Sequence, residues 1–573
     1  MTAIALNEAE QRRSLAGPDL SGLVLGATAL FLLALIGLPV GWLLAYAFSD
    51  KAGAVTLANF QALLDDPTLR EPLVTTFSLA SLVAFFAALA AAPMAWAVAR
   101  TDLPGRRAVR AMMTASFVTP PFLGAIAWEI LAAPNSGILN KLWRDLSGAD
   151  EALVNIYSFG GLVFVMACYT APYVFVVLTN ALDRIPADLE DAAGILGAGR
   201  WKIVRSVTLP LALPALLAGA LVAFLQAMIL FGSPAILALP AGFHTVTTKV
   251  YALFQFPPKP QVAAAAALPL LLVTVALLWI QGRIIGRRGF AVVGGKAGEP
   301  RLLVLGAWRW PVLGLVLLVL ALPLFLPYAA LLKAAVSRIP SGPFDAANLT
   351  LTNISFVFLE FSQTQRAFAN TFILAFTTAT AGTGLALIVA YMAARRAAPG
   401  AKALEFLATA PIAIPGIVLG VGLFLAYTRG PVVLYGTLWI LFLGFLTIEL
   451  PAAFQQLRAS FRSVHPELEE ASRILGADRL VTLRRITAPL LKSGVIAGWC
   501  LIFIGVVREL SAAVMLATSN TKVLSVVIYD LNESGNLGAI AVLGVAMLLV
   551  TFAVVGLANW VAGVGAGIGI RKT

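Results

Sequence analysis

Charged side chains are scarce in this sequence: Asp, Glu, Lys and Arg together make up 12% of the 573 residues, and hydrophobic residues make up 60%. Because soluble domains carry about 25% charged residues, a water-soluble globular class is excluded. The mean hydropathy of +0.91 agrees with this exclusion. Long apolar runs recur along the whole chain without the alternating polarity of membrane barrel strands. The sequence therefore predicts an all-α integral membrane protein.

Cysteine and histidine are also rare, with two of each in the chain. Cys168 and Cys500 fall inside apolar runs, so we expect packing residues rather than a disulfide framework or a cysteine-rich metal site. His244 and His465 are too few for a structural metal centre. No segment matches the phosphate-binding loop G-x-x-x-x-G-K-[ST], and Gly294–Lys296 lacks both its spacing and its hydroxyl residue. We therefore predict no catalytic residues, no metal site and no cofactor bound by this chain.

About twelve apolar runs are long enough to cross a bilayer, which takes about 20 helical residues. Six lie in each half of the chain. Those of the first half fall near 22–48, 72–99, 110–132, 157–182, 211–232 and 261–282. Those of the second half fall near 309–336, 367–394, 404–427, 433–457, 490–513 and 537–562.

The net charge of +12 is distributed unevenly along the chain. If every run crosses the bilayer, most of the 40 Lys and Arg residues fall at the two termini and in the connections on the same side. Connections rich in Lys and Arg stay in the cytoplasm. The sequence therefore predicts that both termini are cytoplasmic, and the basic character requires no nucleic-acid partner.

The two halves of the chain repeat one another. Because six spans is an even number, both copies have the same orientation, which makes a parallel repeat about an axis along the membrane normal. The matched pairs are Thr76 with Thr371, Arg100 with Arg395, Pro120 with Pro415 and Pro172 with Pro451. The predicted segments are an N-terminal segment 1–21, a first domain 22–282, a linker 283–308, a second domain 309–562 and a tail 563–573.

One polar stretch occurs twice, between the fourth and fifth spans of each half. It reads DAAGILGAGRWKIVRSVTLP over Asp191–Pro210 and EASRILGADRLVTLRRITAP over Glu470–Pro489. Its acidic opening predicts a helix N-terminus, and Pro466 suits the first helical position of the second copy. Gly197 and Gly476 stand where a left-handed residue would end each helix. Each copy is therefore predicted to form a short helix on the cytoplasmic side.

Small residues on a short helix let another surface approach closely, and an acidic end offers charge-assisted bonds to a basic partner. The alternative is a helix lying at the lipid interface, but such helices favour Lys and Arg. We therefore favour a docking element. Its candidate residues in the first copy are Glu190, Asp191, Ala192, Ala193, Gly197, Arg200 and Pro210. Those in the second copy are Glu469, Glu470, Ala471, Ser472, Gly476, Arg479 and Pro489.

The order of residues in both copies resembles the EAA loop of type I, binding-protein-dependent ABC importer permeases. The matching residues are Asp191-Ala192-Ala193, Gly197, Val207 and Leu209-Pro210 in the first copy. In the second copy they are Glu470-Ala471-Ser472, Gly476, Ile486 and Ala488-Pro489. Asp191, Ser472 and Ala488 depart from the usual pattern, so the two loops need not bind their partners equally.

This resemblance implies the type I ABC importer permease fold in the bacterial inner membrane. It also implies that each loop forms a coupling helix seated in a cleft of an ATP-binding subunit. Two copies of that ATPase, which use ATP and Mg²⁺, would serve the one fused chain. The resemblance implies a periplasmic or lipid-anchored binding protein on the outer side.

Polar residues inside the predicted spans are costly and are therefore candidates for the pathway or its gate. They are Glu129, Gln226, Glu449, Arg508 and Glu509. Arg508 and Glu509 follow Pro489 by about 28 Å of helix, at 1.5 Å per residue, which predicts a position near the outer mouth. The alternative for each of these residues is a hydrogen-bonded structural role within the helix packing.

The segments Phe231–Phe254 and Arg508–Ala539 occupy equivalent outer regions, with Tyr251 aligned to Tyr529. They resemble the fused permeases of ferric-iron uptake systems, whose relatives carry thiamine, polyamines, sulfate or phosphonates. Ferric iron is the expected substrate, and one of these small solutes is the alternative. A secondary transporter also often has two six-helix halves, but it would leave the doubled docking element unexplained. A membrane-embedded enzyme lacks a paired catalytic constellation here.

Overall fold

A computed structural model describes residues 21–287, 302–395, 400–428 and 432–561. Outside these residues lie nearly all of the predicted segment 1–21, most of the linker 283–308 and the whole tail 563–573. The helices of the first half are α1 (Ser21–Ala47), α2 (Ala58–Asp65), α3 (Pro67–Arg100), α4 (Arg106–Ala115), α5 (Pro121–Ala132), α6 (Ile138–Ser147), α7 (Phe159–Leu182), α8 (Ala187–Ile195), α9 (Arg200–Ile203), α10 (Leu209–Ile229), α11 (Gly232–Leu237), α12 (Val246–Ala252) and α13 (Pro260–Arg287).

The second half repeats this order, except that its first span is divided in two and no counterpart of α6 is found among the described residues. They are α14 (Arg309–Leu320), α15 (Leu326–Ala335), α16 (Thr352–Ser355), α17 (Ser362–Ala394), α18 (Ala401–Thr409), α19 (Gly416–Thr428), α20 (Leu438–Arg462), α21 (Pro466–Ile474), α22 (Arg479–Thr482), α23 (Ala488–Arg508), α24 (Ala513–Leu516), α25 (Leu524–Glu533) and α26 (Leu537–Val561). Among the described residues there is no β-strand beyond three isolated bridges.

Ten helices in the described part of the chain are long and apolar enough to cross a membrane. Two further helix pairs are bent, Arg106–Val118 with Pro121–Ala132 at 100° and Ala401–Ala413 with Gly416–Thr428 at 105°, and they bring the number to twelve if each pair is one span. The all-α class with about twelve spans is therefore confirmed. The structure differs from the prediction at 110–132 and 404–427, because neither segment is one straight helix.

Proline causes the first bend. Pro120 and Pro121 follow the 3₁₀ turn Ser116–Val118, and Thr119 and Pro120 have extended backbones, with ψ of 119° and 132°. A proline has no N–H to donate, and the residue before a proline avoids the α conformation. Consequently the carbonyl of Phe117, whose helical partner would be the amide of residue 121, has no donor in its own helix.

Equivalent residues of the two halves make equivalent contacts. The Val246 amide, at the start of α12, donates to Thr76 Oγ1 at 2.8 Å, and the Leu524 amide, at the start of α25, donates to Thr371 Oγ1 at 2.8 Å. Thr76 and Thr371 are a pair matched in the sequence repeat. The repeat is therefore a repeat of tertiary structure as well as of sequence.

The first span of each half packs against the bent span of the other half. Helix α1 contacts α19, where a Cβ added to Gly422 would lie 2.5 Å from Pro39 O. The first span of the second half, α14 with α15, contacts α5, and Trp128 Nε1 donates to Leu322 O at 3.2 Å. This exchange of first helices joins the two halves into one bundle.

Candidate functional site

The first copy of the repeated motif forms helix α8, which ends at a left-handed glycine. Gly197 has φ +81°, and the Ala198 amide donates to Ala193 O at 3.0 Å. A left-handed residue with this closing bond is the Schellman arrangement, which only glycine adopts without strain. The predicted glycine stop is confirmed in this copy.

The second copy repeats the geometry in α21. The helix begins at Pro466, as its sequence predicts, and Gly476 has φ +87°. The Ala477 amide donates to Ser472 O at 3.1 Å, in the position equivalent to that of Ala198 in the first copy. We call α8 and α21 the motif helices, and we call the end of the bundle where they lie the motif side.

Each motif helix carries an exposed apolar pair at its C-terminal end. Ile195 and Leu196 are each 87% exposed, and Ile474 and Leu475 are 84% and 87% exposed. Four large apolar side chains in open solvent are unfavourable unless a partner covers them. The motif helices therefore present two equivalent apolar contact points, one on each half.

The residues between the acidic opening and the glycine differ slightly between the copies. Ala192, Ala471 and Glu470 are exposed, whereas Ala193 and Asp191 are half-buried. The sequence of the second copy has Ser472 where the first has Ala193. Ser472 Oγ lies 3.0 Å from Thr482 Oγ1. This hydroxyl pair fixes α21 to α22, and the alanine of the first copy has no hydroxyl to do the same.

Glu190 and Glu469 point into the chain, although the sequence suggested that the acidic opening offers bonds to a partner. The Glu190 side chain is 15% exposed and pairs with Arg100. The Glu469 side chain is 12% exposed and pairs with Arg395. Burial beside a fixed arginine satisfies each carboxylate internally, so neither is free to reach another protein.

The basic stretch after each glycine is continuous with the next span. Helices α9 and α22 begin at Arg200 and Arg479, whose side chains lie outside the described part of the structure. A π-helical turn follows, Val204–Thr208 in the first half and Leu483–Thr487 in the second. Pro210 and Pro489 then stand within the first turn of α10 and α23. Neither proline separates the loop from the membrane span, because the helix runs through both.

Arg508, the last residue of α23, crosses to the other half of the molecule. Its guanidinium donates from Nη1 to the Phe117 carbonyl, which Pro121 leaves without a helical partner. Arg508 Nη2 donates to Tyr173 Oη at 3.3 Å. The rings of Phe117 and Tyr173 pack edge to face with centroids 4.8 Å apart. We call these contacts the Arg508 tie.

The Arg508 tie lies level with the central parts of α7 and α20, whereas the length of helix after Pro489 predicts a position near the outer mouth. Tyr173 is in the central part of α7 (Phe159–Leu182), and Gly505 packs against Glu449 in the central part of α20 (Leu438–Arg462). Gly494 packs against Ser460 at the end of α20 on the motif side. The first turns of α23 after Pro489 therefore lie level with this end of α20, and the depth of Arg508 in the membrane stays a prediction.

Glu449, Arg508 and Glu509 come together at the end of α23. A Cβ on Gly505 would lie 2.1 Å from Glu449 Oε2, and one on Gly416 would lie 3.2 Å from Glu509 Oε1. Glu509 Oε1 accepts from the Ala512 amide at 2.8 Å. Glu449, Arg508 and Glu509 are half-buried. The second half thus has a charged cluster beside its bent span.

The first half has uncharged residues at the equivalent positions. Gln226, near the end of α10, is equivalent to Gly505, and Thr170 of α7 is equivalent to Glu449. Gln226 is half-buried, and Thr170 Oγ1 donates to the Met166 carbonyl at 2.9 Å. The charged cluster therefore breaks the pseudo-symmetry of the two halves.

Glu129 has a different environment from the cluster. Tyr157 Oη donates to Glu129 Oε1 at 2.7 Å, while the buried Oε2 has no partner among the described residues. Both residues lie on the side opposite the motif helices, in α5 and just before α7. Glu129 is therefore separate from Arg508 and Glu509, and the sequence-predicted polar residues do not form one site.

The aligned tyrosines of the outer regions meet across the two halves. The rings of Tyr251 and Tyr529 are perpendicular, with centroids 6.2 Å apart. Phe231 packs against both, at 5.3 Å from Tyr251 and 5.8 Å from Tyr529. Residues related by the repeat that touch one another must lie close to the pseudo-twofold axis. This aromatic cluster therefore joins the two halves close to that axis.

Sequence reasoning missed the partners of the buried carboxylates. Arg100 and Arg395 were matched by the repeat, and Thr208 and Thr487 occupy equivalent places in the two motif copies, but none was a candidate. The available signal was a pair of arginines matched in both halves at the end of a span on the motif side.

Comparison with known proteins adds to this geometry. The family model described as "Binding-protein-dependent transport system inner membrane component" matches residues 67–289 and 382–563. The ferric transport system permease protein FbpB of Actinobacillus pleuropneumoniae is 27% identical over 454 residues, which are 78% of this chain. The alignment spans 64% of that relative's own length.

Two further relatives show the range of names. The Fe(3+)-transport system permease protein FbpB 2 of Haemophilus influenzae is 23% identical over 499 residues, 87% of this chain and 91% of that protein. The sulfate transport system permease protein CysT of Escherichia coli is 27% identical over 282 residues, 48% of this chain and 96% of that protein. The first name concerns a metal cation and the second an oxyanion, so the relatives' names do not agree on one solute.

Proposed function

The chain belongs to the family of binding-protein-dependent transport system inner membrane components, and from that premise we propose that it is the membrane-spanning subunit of an ATP-driven importer. The observation that carries this proposal is the pair of motif helices. One lies on each half, both lie on the same side, and both expose an apolar pair beside a left-handed glycine. A chain with two equivalent contact points suits two copies of one partner.

The partners of the motif helices are two copies of an ATPase subunit. Ile195, Leu196, Ile474 and Leu475 supply apolar contact, and the small residues before them let a cleft close around each helix. ATP and Mg²⁺ are used by those subunits, because the chain has no phosphate-binding loop of its own. The motif side faces the cytoplasm, which agrees with the excess of Lys and Arg on that side.

The transported solute passes between the two halves. The aromatic cluster of Phe231, Tyr251 and Tyr529 forms the outer barrier, and the Arg508 tie holds the halves together. Rocking of the halves by the ATPase would have to separate both contacts. Glu449 and Glu509 line the space beside the tie, and in the first half Gln226 takes the position of Gly505. Glu129, bonded to Tyr157, belongs to the outer end of the first half.

Ferric iron is the solute that we propose, delivered by a binding protein on the outer side. Two relatives that align with more than three quarters of this chain bear ferric transport names, which supports this choice. The alternatives are thiamine, a polyamine, a phosphonate or sulfate, since the fold of the permease is shared by carriers of such solutes. The binding protein would make most of the selection among them.

The test is uptake by proteoliposomes that contain the chain, its ATPase and its binding protein. We expect accumulation of ⁵⁵Fe³⁺ only when the binding protein is outside and ATP is inside with the ATPase. Uptake that is driven by a proton or sodium gradient without ATP would refute the proposal. ATP-dependent uptake of labelled sulfate or thiamine but not of iron would refute the substrate and leave the importer class standing.

A further inference from the structure

Each half contains one buried junction that joins three elements at a single carboxylate oxygen. In the first half, Glu190 Oε1 lies 3.4 Å from Arg100 Nη2 and accepts from Thr208 Oγ1 at 2.7 Å. In the second half, Glu469 Oε1 accepts from Arg395 Nη2 at 3.0 Å and from Thr487 Oγ1 at 3.0 Å. We call these the first and second Arg–Glu–Thr junctions.

The three residues come from three different elements. The arginine stands where the second span ends on the motif side, at the last residue of α3 and just after α17. The glutamate is in the first turn of the motif helix. The threonine is the last residue of the π-helical turn that leads into the fifth span. One carboxylate oxygen of each motif helix therefore contacts both the end of the second span and the turn that leads into the fifth span.

Each arginine also binds the turn that precedes its motif helix. Arg100 Nη2 donates to Ile185 O at 3.2 Å, and Arg395 Nη2 donates to Val464 O at 3.3 Å. These carbonyls occupy equivalent positions in the two copies. The arginine thus holds both the backbone entry and the first turn of the motif helix.

Apolar packing does not hold the motif helix in the first half. No residue of α8 is buried, and the side chain of Leu189, a large apolar residue of this helix, is 47% exposed. By contrast, Arg100 is 3% exposed. The junction therefore attaches α8 to the bundle through polar contacts, and its ion pair is costly to break, because separating a buried ion pair leaves an uncompensated charge.

Each junction lies next to a π-helical turn, where the helix can change its register. They occupy equivalent positions, Val204–Thr208 and Leu483–Thr487. A π-helical turn is rare, occurs mostly at functional sites and interrupts the regular ladder of the helix. A helix that carries such a turn can shift its register there while the junction keeps the threonine bound.

We propose that the two Arg–Glu–Thr junctions transmit the displacement of the motif helices to the second and fifth spans. The proposal rests on the function proposed above and gives its coupling step specific residues. Arg100, Glu190 and Thr208, with Arg395, Glu469 and Thr487, are positioning residues that contact neither nucleotide nor solute. Glu190 and Glu469 therefore act inside the chain, while the exposed apolar pairs contact the partner.

The test uses the double variant Glu190→Gln and Glu469→Gln in the reconstituted importer with its ATPase and binding protein. We expect the ATPase to copurify as with the wild type and to hydrolyse ATP, while solute transported per ATP falls about tenfold, within the usual range of coupling between sites. The matched control is Asp188→Asn with Glu467→Gln, at exposed positions in the first turns of the same helices. The control should leave the ratio unchanged.

Three outcomes decide between the possibilities. An unchanged ratio of transport to hydrolysis in the glutamine variant would overturn the junction proposal. If the glutamine variant no longer copurifies with the ATPase, the double variant Thr208→Val with Thr487→Val is tested instead, because it keeps both ion pairs. An unchanged ratio of transport to hydrolysis in that variant would also overturn the junction proposal. Failure of the wild-type chain to bind any ATPase would refute the proposed function instead of the junctions.

A charge exchange adds a readout that a purely structural role would not give. Arg395→Glu with Glu469→Arg restores an ion pair of reversed polarity in the second junction. We expect this variant to recover at least half of the transport-to-hydrolysis ratio that either single change loses. Recovery of thermal stability without recovery of the ratio would assign the pair to folding alone and overturn the proposal.

Discussion

At the residue scale, the left-handed glycines have open space around them. Among the described residues, no atom would lie within 4 Å of a Cβ built on Gly197 or Gly476, so the cost that these contacts show for a side chain is that of its positive φ. That cost is about 1–2 kcal/mol per residue. A bulky residue at these positions should therefore leave the chain folded and should act through whatever partner covers the motif helices.

We expect the double variant Gly197→Trp and Gly476→Trp to insert into the membrane normally and to lose ATPase binding by about tenfold or more, which corresponds to 1.4 kcal/mol. The measurement is the amount of ATPase retained on the tagged chain. Gly148→Trp is the control, because Gly148 also has positive φ and open space but ends α6 on the opposite side. Equal retention by all three proteins would contradict the docking role.

Loss of the Arg508 side chain should lower stability, because it joins the two halves. Arg508→Met leaves the Phe117 carbonyl and Tyr173 Oη without their guanidinium donor, and leaving an acceptor unsatisfied inside a protein costs about 1–3 kcal/mol. The measurement is the free energy of unfolding by SDS titration. Arg458→Met removes the partly exposed pair with Glu405 and should cost about 0–1 kcal/mol. Similar losses in both variants would contradict the Arg508 tie.

At the element scale, two glycines one turn apart on α23 have different space against α20. A Cβ on Gly494 would lie 2.1 Å from Ser460 Oγ and 2.6 Å from Ser460 Cβ, whereas one on Gly498 would lie 3.7 Å from Ala453 Cβ. The first distance requires a backbone shift, and the second is ordinary contact. The contact between the two helices is therefore tighter at Gly494 than at Gly498.

Gly494→Ala should lower the free energy of unfolding by about 1–3 kcal/mol, because an extra methyl group in a tight contact forces the helices apart. Gly498→Ala should change it by less than about 0.5 kcal/mol. The same SDS titration measures both. A larger loss in Gly498→Ala than in Gly494→Ala would contradict the packing of α23 on α20.

Local signals in the sequence predicted the helices and their ends. They could not predict the contacts between elements that are far apart in the chain. The glycine stops, Pro466 and the apolar runs are decided within a few residues, so they could be predicted. The bend at Pro120 is also local, but the donor to the Phe117 carbonyl at this bend is Arg508, which is 391 residues away from Phe117. The inward turn of Glu190 depends in the same way on Arg100, which no spacing rule connects to it.

At the scale of the whole molecule, the exchange of first helices should let the two halves assemble as separate chains. If the chain is divided within 288–301, α1 still packs on α19 and the first span of the second half still packs on α5. We expect the coexpressed halves to copurify. Complete separation of the halves under conditions that preserve the intact chain would contradict the exchange.

Gly422→Val should weaken that copurification by about tenfold, or 1.4 kcal/mol, because a Cβ at this position would lie 2.5 Å from Pro39 O of the opposite half. Gly384→Val is the control, since Gly384 has open space around it in α17. The yield of one half retained by a tag on the other measures the effect.

The mass of the complex tests the central claim most directly. Native mass spectrometry of the tagged chain, purified from its own membranes with its partners, should find two copies of one ATPase subunit per chain, one for each motif helix. A complex with a single ATPase copy would contradict the equivalence of the two motif helices. A chain that retains no ATPase under conditions that keep it folded would contradict the whole account.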